Sequence, residues 1–255
     1  MKDVKGFKYN IPYDLDSPER TLVHKKIIRG KVFLSKLYKE WYSVFTKIKP
    51  TLPEGKIVEL GSGGGFFKEF EPTAICSDIL DLPFNDLTFS ALDMPFEMDE
   101  VSAIFMIDTF HHIPDSRLFL KEAKRILKRG GMIIMIEPAN SWWGRFIYRN
   151  FHHEPFNTKG DWTIPDSGPL SGANGALPWI VFDRDLQIFS EEFPDFKILS
   201  IDYHTPFRYL ISGGVSYRQL MPGFTYPFFR LFDRLLSKLS KQISMFTTIK
   251  IQKVL

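Results

Sequence analysis

Hydrophobic positions change period along this chain. From Pro18 towards Ile48, Ile27, Ile28, Val32, Phe33, Leu37, Trp41, Tyr42 and Phe45 recur at helical spacing, and Lys25, Lys26, Arg29, Lys31, Lys36 and Lys39 make the other side basic. Asp16-Ser17-Pro18-Glu19 is the start signal: Ser17 caps, Pro18 suits the first helical position and Glu19 meets the positive end of the dipole. Gly30 is where this run can split into two helices, and Pro50 and Pro53 end it. Short apolar runs follow at Lys56–Leu60, Ala74–Ile79, Leu87–Leu92, Val101–Ile107 and Met132–Ile136, and they read as buried strands. Before the fifth run, Leu118, Ala123, Ile126 and Leu127 mark an amphipathic helix, opened by Asp115 or Ser116 and stopped by Gly130-Gly131. Strand and helix in alternation predict a parallel, doubly wound sheet. The link from Leu80 to Asp86 is too short for a crossover helix, so the first half of the sheet is trimmed.

From Ala139 the pattern loosens. Ser141 to Phe151 reads as an aromatic-rich helix. The long segment from His152 to Trp179 reads as a lid or binding loop, and its aromatics argue against disorder. Asp183 to Phe193 resumes as helix, Phe196 to Tyr203 as a sixth strand, and Phe246 to Val254 as a closing strand. Between the last two lies a second insertion. Within it Phe228, Leu231, Phe232, Leu235, Leu236 and Leu239 form an apolar helical face beside a stripe of Arg230, Arg234, Lys238 and Lys241. Since that helix sits between two strands, its apolar face is expected to pack on the sheet or the first helices. Peripheral contact with an anionic membrane and dimerisation are the alternatives.

With 255 residues, the chain suits one domain spanning 1–255, with a helical cap at 17–50 and lid insertions at 139–182 and 205–245. A net charge of +3 does not call for a nucleic-acid partner. The single cysteine, Cys76, excludes a disulfide framework and any multi-cysteine zinc site. Met1 to Asn10 has no apolar signal region and no apolar run approaches a membrane span, so the cytoplasm is the default location. Monomer and homodimer both remain open.

The chemistry centres on Gly61-Ser62-Gly63-Gly64-Gly65, directly after the first strand. Glycines so dense belong where φ is positive or a ligand approaches the backbone, at the carboxyl end of a parallel strand. A dinucleotide fingerprint would need Gly or Ala where Phe66 stands, and no Gly-Lys-Ser/Thr follows for a phosphate loop. Asp78 ends the second strand about 17 residues beyond Gly61, near the spacing at which a carboxylate grips ribose hydroxyls. Val58-Glu59-Leu60-Gly61-Ser62-Gly63-Gly64-Gly65 resembles the first motif of class I S-adenosylmethionine-dependent methyltransferases. The segment His111-His112-Ile113-Pro114-Asp115, after an apolar strand, resembles their type 11 branch.

That resemblance implies a Rossmann-like, seven-stranded, mostly parallel sheet whose last strand is antiparallel. It implies S-adenosyl-L-methionine as cofactor, held by Glu59, Gly61, Ser62, Gly63, Gly65, Asp78, Ile79 and Ile107, with Asp93 and Met94 at the adenine. Asp108, His111 and His112 then lie opposite the transferring methyl, with one histidine the candidate base for an oxygen nucleophile. Residue type nominates His153, Trp162, Asn174, Arg208 and Tyr209 as contacts for a small-molecule, glycan or lipid-linked acceptor. His152, His153 and Glu154 invite a metal reading with His111 and His112, but the spacing lacks a helical His pair and no metal is expected. A nicotinamide oxidoreductase on a similar sheet, which Phe66 opposes, and a non-catalytic cofactor-binding protein are the competing functions.

Overall fold

The computed structural model describes residues 8–165 and 168–255. Two helices come first, α1 (Pro18–Gly30) and α2 (Val32–Ile48), separated by Lys31 in an extended conformation at φ −105°. The Ser17 hydroxyl caps α1 by accepting from the Arg20 N–H. Phe33, Leu34, Leu37, Trp41, Tyr42 and Phe45 bury the inner face of α2, and Phe45 stacks flat on Phe105 with ring centroids 4.4 Å apart.

The sheet follows as β1 (Lys56–Leu60), β2 (Ile75–Asp78), β3 (Leu87–Thr88) and β4 (Val101–Ile107). After β4 come α3 (Ser116–Ile126), β5 (Leu127–Pro138) and α4 (Trp142–Phe151). The second half holds the short α5 (Leu177–Trp179), a π-helical turn over Ile180–Arg184, α6 (Leu186–Glu192) and β6 (Phe196–His204). It closes with α7 (Arg208–Ser212), α8 (Tyr226–Leu239) and β7 (Phe246–Lys253). The strand order is β3-β2-β1-β4-β5-β7-β6, with β7 antiparallel to both of its neighbours and the other strands parallel. All seven residues of β4 are buried, as a central parallel strand covered on both faces requires.

Several boundaries differ from the sequence pattern. The third strand stops at Thr88 instead of Leu92, because four-residue β2 offers it only Ser77 and Asp78 as partners. The chain then turns, with the Asp93 N–H donating to the Ser90 carbonyl and the Leu92 N–H to the Ser90 hydroxyl. The fifth strand begins at Leu127, earlier than Met132, since Val101 of β4 already pairs with Leu127. The expected helix from Asp183 reduces to α6, preceded by the π-helical turn.

The largest departure is α8. Its apolar face does not pack inward: Phe228, Leu231, Phe232, Leu235 and Leu239 are exposed, and only Tyr226 and Asp233 are buried. The reason is electrostatic. Arg208, itself buried, donates from Nε to Asp233 at 2.8 Å and from Nη1 to Glu40 at 2.6 Å, so the inward side of α8 must carry Asp233. Among the described residues no helix is long and apolar enough to cross a membrane.

Candidate active site

The site grows from the carboxyl ends of β1, β2 and β4. Where β1 ends, Gly61 takes φ +65° and Gly63 φ +48°, left-handed values that a side chain disfavours. The Gly63 N–H donates to Asp78 Oδ2 and the Leu80 N–H to Asp78 Oδ1, each at 3.0 Å. This fixes the carboxyl group across from the loop while each oxygen keeps a lone pair for another donor. Burial raises the Asp78 pKa, and backbone N–H groups of Leu80, Gly63 and Ile79 oppose that rise. Beneath the loop, Glu59 is buried. Burial pushes its carboxyl up to about 7 against hydrogen bonds from Ser62, Tyr42 and Cys76.

Above these groups lies a cavity of about 1220 Å³. Gly61 to Gly64 and Asp78 to Leu80 line its floor, Phe89 to Leu92 one wall, and α1 and α2 contribute Thr21, His24, Tyr38 and Tyr42. The position of Gly63 tests the fit of a ligand. A Cβ built there would meet nothing nearer than the Gly61 carbonyl at 3.9 Å, so the backbone faces open cavity.

At the other end of the same cavity is a cluster of four histidines and two glutamates. The register that sets Ile107 beside Ile136 brings the end of β4 next to Glu137 on β5. Glu137 is fully buried; its Oε1 accepts from the N–H groups of Thr109 (2.9 Å) and Phe110 (2.7 Å), and its Oε2 faces His111 Nδ1 at 2.6 Å. His111 Nε2 faces Glu154 Oε2 at 3.2 Å. Burial alone would lower the His111 pKa; the Glu137 carboxylate, then Glu154, reverse this and hold it well above the ordinary value. Glu154 in turn is held far below the usual carboxylate range, its burial outweighed by His111, His152 and His112.

His112 differs. Its Nδ1 lies 2.9 Å from the Gly172 carbonyl, which can only accept, so Nδ1 carries the proton and Nε2 keeps a lone pair, 3.7 Å from Glu154 Oε1. Burial, with His111 beside it, lowers the His112 pKa to about 4, so the ring is neutral at pH 7. Asp108 takes φ +51°, and burial pushes its carboxyl up to about 8. Within the cluster, His111, His112 and Glu154 set ligand-type atoms within 4.8 Å of one another, as do His152, His153 and Glu154. At His111 the two flanking carboxylates are already satisfied by a protonated ring.

The structure brings most of the sequence candidates to this cavity and sets others apart. Glu59, Gly61, Ser62, Gly63, Asp78, Ile79, Ile107, Asp108, His111, His112, His153 and Tyr209 line it. Asp93 and Met94 do not. Asp93 is exposed, while Met94 is buried against α3, its N–H on Glu122 and its carbonyl accepting from Arg125. Because β3 ends early, Ser90, Ala91 and Leu92 form the wall instead. Gly65 packs under Phe84 and does not reach the cavity. Trp162 is buried away from it, donating to Asp185 at 2.9 Å with Arg117 over its ring. Asn174 ties the lid to itself through Asn157 and Ala176, and Arg208 is committed to Asp233 and Glu40. Pattern reading missed Glu137 as a site residue; the available signal was a charged residue closing a buried strand beside the one that ends at Asp108.

Residues 67–135 match the methyltransferase domain family, type 11. A geranyl diphosphate C-methyltransferase from Streptomyces coelicolor, solved with Mg2+, geranyl diphosphate and S-adenosyl-L-homocysteine, superimposes with a TM-score of 0.50 at 13% identity. That match covers 96% of this chain and 91% of that one. A putative methyltransferase of Haloferax volcanii, solved with a methyltransferase activator, gives 0.50 at 12% identity over 96% and 99%. A possible histamine N-methyltransferase from Thermotoga maritima gives 0.49 at 18% identity over 91% and 99%. At these identities the first two solved structures establish the shared fold.

Proposed function

We propose that this chain, an S-adenosylmethionine-dependent methyltransferase of class I and the type 11 branch, methylates an oxygen of a small, glycan or lipid-linked acceptor. The observation that carries this reading is the placement of His112 and Glu154 in the same cavity as the glycine loop and Asp78. When bound, S-adenosylmethionine supplies an electrophilic methyl group on a sulfonium. Gly61, Ser62 and Gly63 suit its amino-acid half, Asp78 its ribose hydroxyls, and Ser90 to Leu92 its adenine.

A hydroxyl acceptor must give up its proton as the new C–O bond forms, so a base has to stand ready. His111 is unsuited, since two carboxylates keep it protonated. His112 is suited: Nε2 has a lone pair, and the cation formed on taking the proton would face Glu154. His111 and Glu137 then hold Glu154 and the end of β4 in position. Asp108, kept protonated at pH 7 by burial, can donate a hydrogen bond to the acceptor.

Isotopically labelled methyl transfer to a panel of hydroxylated small molecules, glycans and lipid-linked sugars tests the reading. The label is expected in an O-methyl ether; label on nitrogen or carbon overturns it. His112→Ala should lower kcat by about 100- to 10,000-fold while sparing the affinity for S-adenosylhomocysteine. The wild-type rate should show no inflection near pH 6.5, because the base is already neutral there. Asp78→Ala should instead weaken S-adenosylhomocysteine binding by about 1–3 kcal/mol, measured by calorimetry. Exhaustive chelation is expected to leave turnover unchanged, since the proposed proton transfer uses side chains alone.

A further inference from the structure

The amphipathic helix α8 is mounted with Asp233, and not its leucines, facing inward. Asp233 is 1% exposed and accepts from Arg208 Nε (2.8 Å) and from the backbone N–H groups of Phe207 (3.1 Å) and Arg208 (3.2 Å). Rotating the helix to bury its leucines would take Asp233 away from Arg208 Nε and from two backbone N–H groups, leaving buried donors unpaired with only Glu40 on the Arg208 charge. The apolar stripe therefore faces out, with Phe228 66%, Leu231 59%, Leu235 53% and Leu239 79% exposed. The surface continues beyond the helix as a chain of rings. Phe232 meets Phe207 (6.0 Å between centroids), Phe207 meets Trp143 (5.4 Å), Trp143 meets Phe146 and Phe146 meets Phe151 (5.8 Å each). Trp142, Phe146 and Phe151 on α4 are themselves exposed. A contiguous apolar face of this kind marks an interaction site.

We propose that this face docks on an anionic membrane surface. Charge decides between occupants. Residues 220–243 carry Arg230, Arg234, Lys238 and Lys241, and their one carboxylate, Asp233, is buried; α4 has none. Arg230 is spent on Glu40 and Lys241 lies over the Tyr203 ring, but Arg234 and Lys238 are exposed with no ion-pair partner among the described residues. A second copy meeting the same face would set these cations against each other with no acid between them. Anionic headgroups neutralise them, while the headgroup boundary accepts the Phe and Leu side chains. Phe151 and Leu220 both line the catalytic cavity and are exposed, so the cavity reaches the surface in part along the rim of this face. An acceptor carried by the membrane would reach the cavity without leaving the surface. That extension rests on the acceptor reading above, whereas docking itself does not.

The test is co-sedimentation of the full chain with phosphatidylglycerol-containing vesicles and with pure phosphatidylcholine vesicles. Binding to the anionic vesicles is expected at low salt, weakening as salt rises. It should fall at least tenfold for Arg234→Glu/Lys238→Glu and for Leu231→Ser/Leu235→Ser, both keeping wild-type affinity for S-adenosylhomocysteine as evidence of folding. The proposal is overturned by absence of binding at low salt, by binding that neither variant weakens, or by a dimer that Leu231→Ser/Leu235→Ser dissociates. Lack of vesicle binding with normal O-methylation would remove docking alone; vesicle binding with methyl on nitrogen or carbon would remove the acceptor reading alone.

Discussion

Glu137→Gln is expected to destabilise the protein by about 3 kcal/mol, more at pH 5.5 than at pH 8. The carboxylate accepts from three donors, the N–H groups of Thr109 and Phe110 and His111 Nδ1. An amide of the same shape offers one acceptor oxygen, so its NH2 must face either the two backbone donors or the imidazole N–H. The pH dependence follows from linkage. His111 has its pKa raised well above 6.5, so its contribution is complete below 6.5 and is lost as pH rises through the folded value. Glu154 works in the opposite sense. Its pKa is lowered from 4.5, so its contribution is complete above 4.5 and is lost as pH falls through the folded value. Both are therefore fully present between 4.5 and 6.5, and removing the carboxylate that chiefly raises the His111 pKa costs most in that window. Urea unfolding of both proteins at the two pH values measures this. An equal penalty at both would mean that His111 is not held protonated by Glu137.

The same cluster marks where sequence reading stops. The glycine loop, Asp78 and the two histidines were legible because each is defined within a few residues: a strand, its end, and the turn that follows. Glu137 and Glu154 lie 26 and 43 residues from His111, and only the β4–β5 register and the lid's path bring them to it. The third strand was read as running to Leu92, but an edge strand is only as long as its neighbour allows and β2 provides two partners, so Ser90 to Leu92 line the cavity where Asp93 and Met94 were expected. Arg208 and Asn174 look like substrate contacts by residue type, yet Arg208 meets Asp233 25 positions away and Asn174 meets Asn157. Hydrophobic period located α8 but pointed its apolar face inward; a single buried aspartate set the opposite rotation.

Gly61→Ala is expected to be the most damaging small substitution at the glycine-loop end of the cavity. Its φ of +65° costs an L-residue about 1–2 kcal/mol by itself. The added Cβ would also overlap Thr109 Oγ1 and Cγ2. Thr109 cannot easily yield, because its hydroxyl donates towards the carbonyls of Leu60 (3.3 Å) and Ile107 (3.0 Å), tying the ends of β1 and β4 together. Relieving the overlap means separating these strand ends, and with them the glycine loop from Asp108 and the histidines. We expect a loss of about 2–4 kcal/mol in stability and at least about a tenfold rise in the Kd of S-adenosylhomocysteine, equivalent to 1.4 kcal/mol or more. A double-mutant cycle isolates the cause. Thr109→Ala removes both overlapping atoms and leaves its own Cβ at 3.0 Å, so the Gly61→Ala penalty should shrink in that background towards the conformational part alone. If the penalty is the same with either residue at 109, the damage comes from the backbone angle, and the strand ends are not held apart by contact.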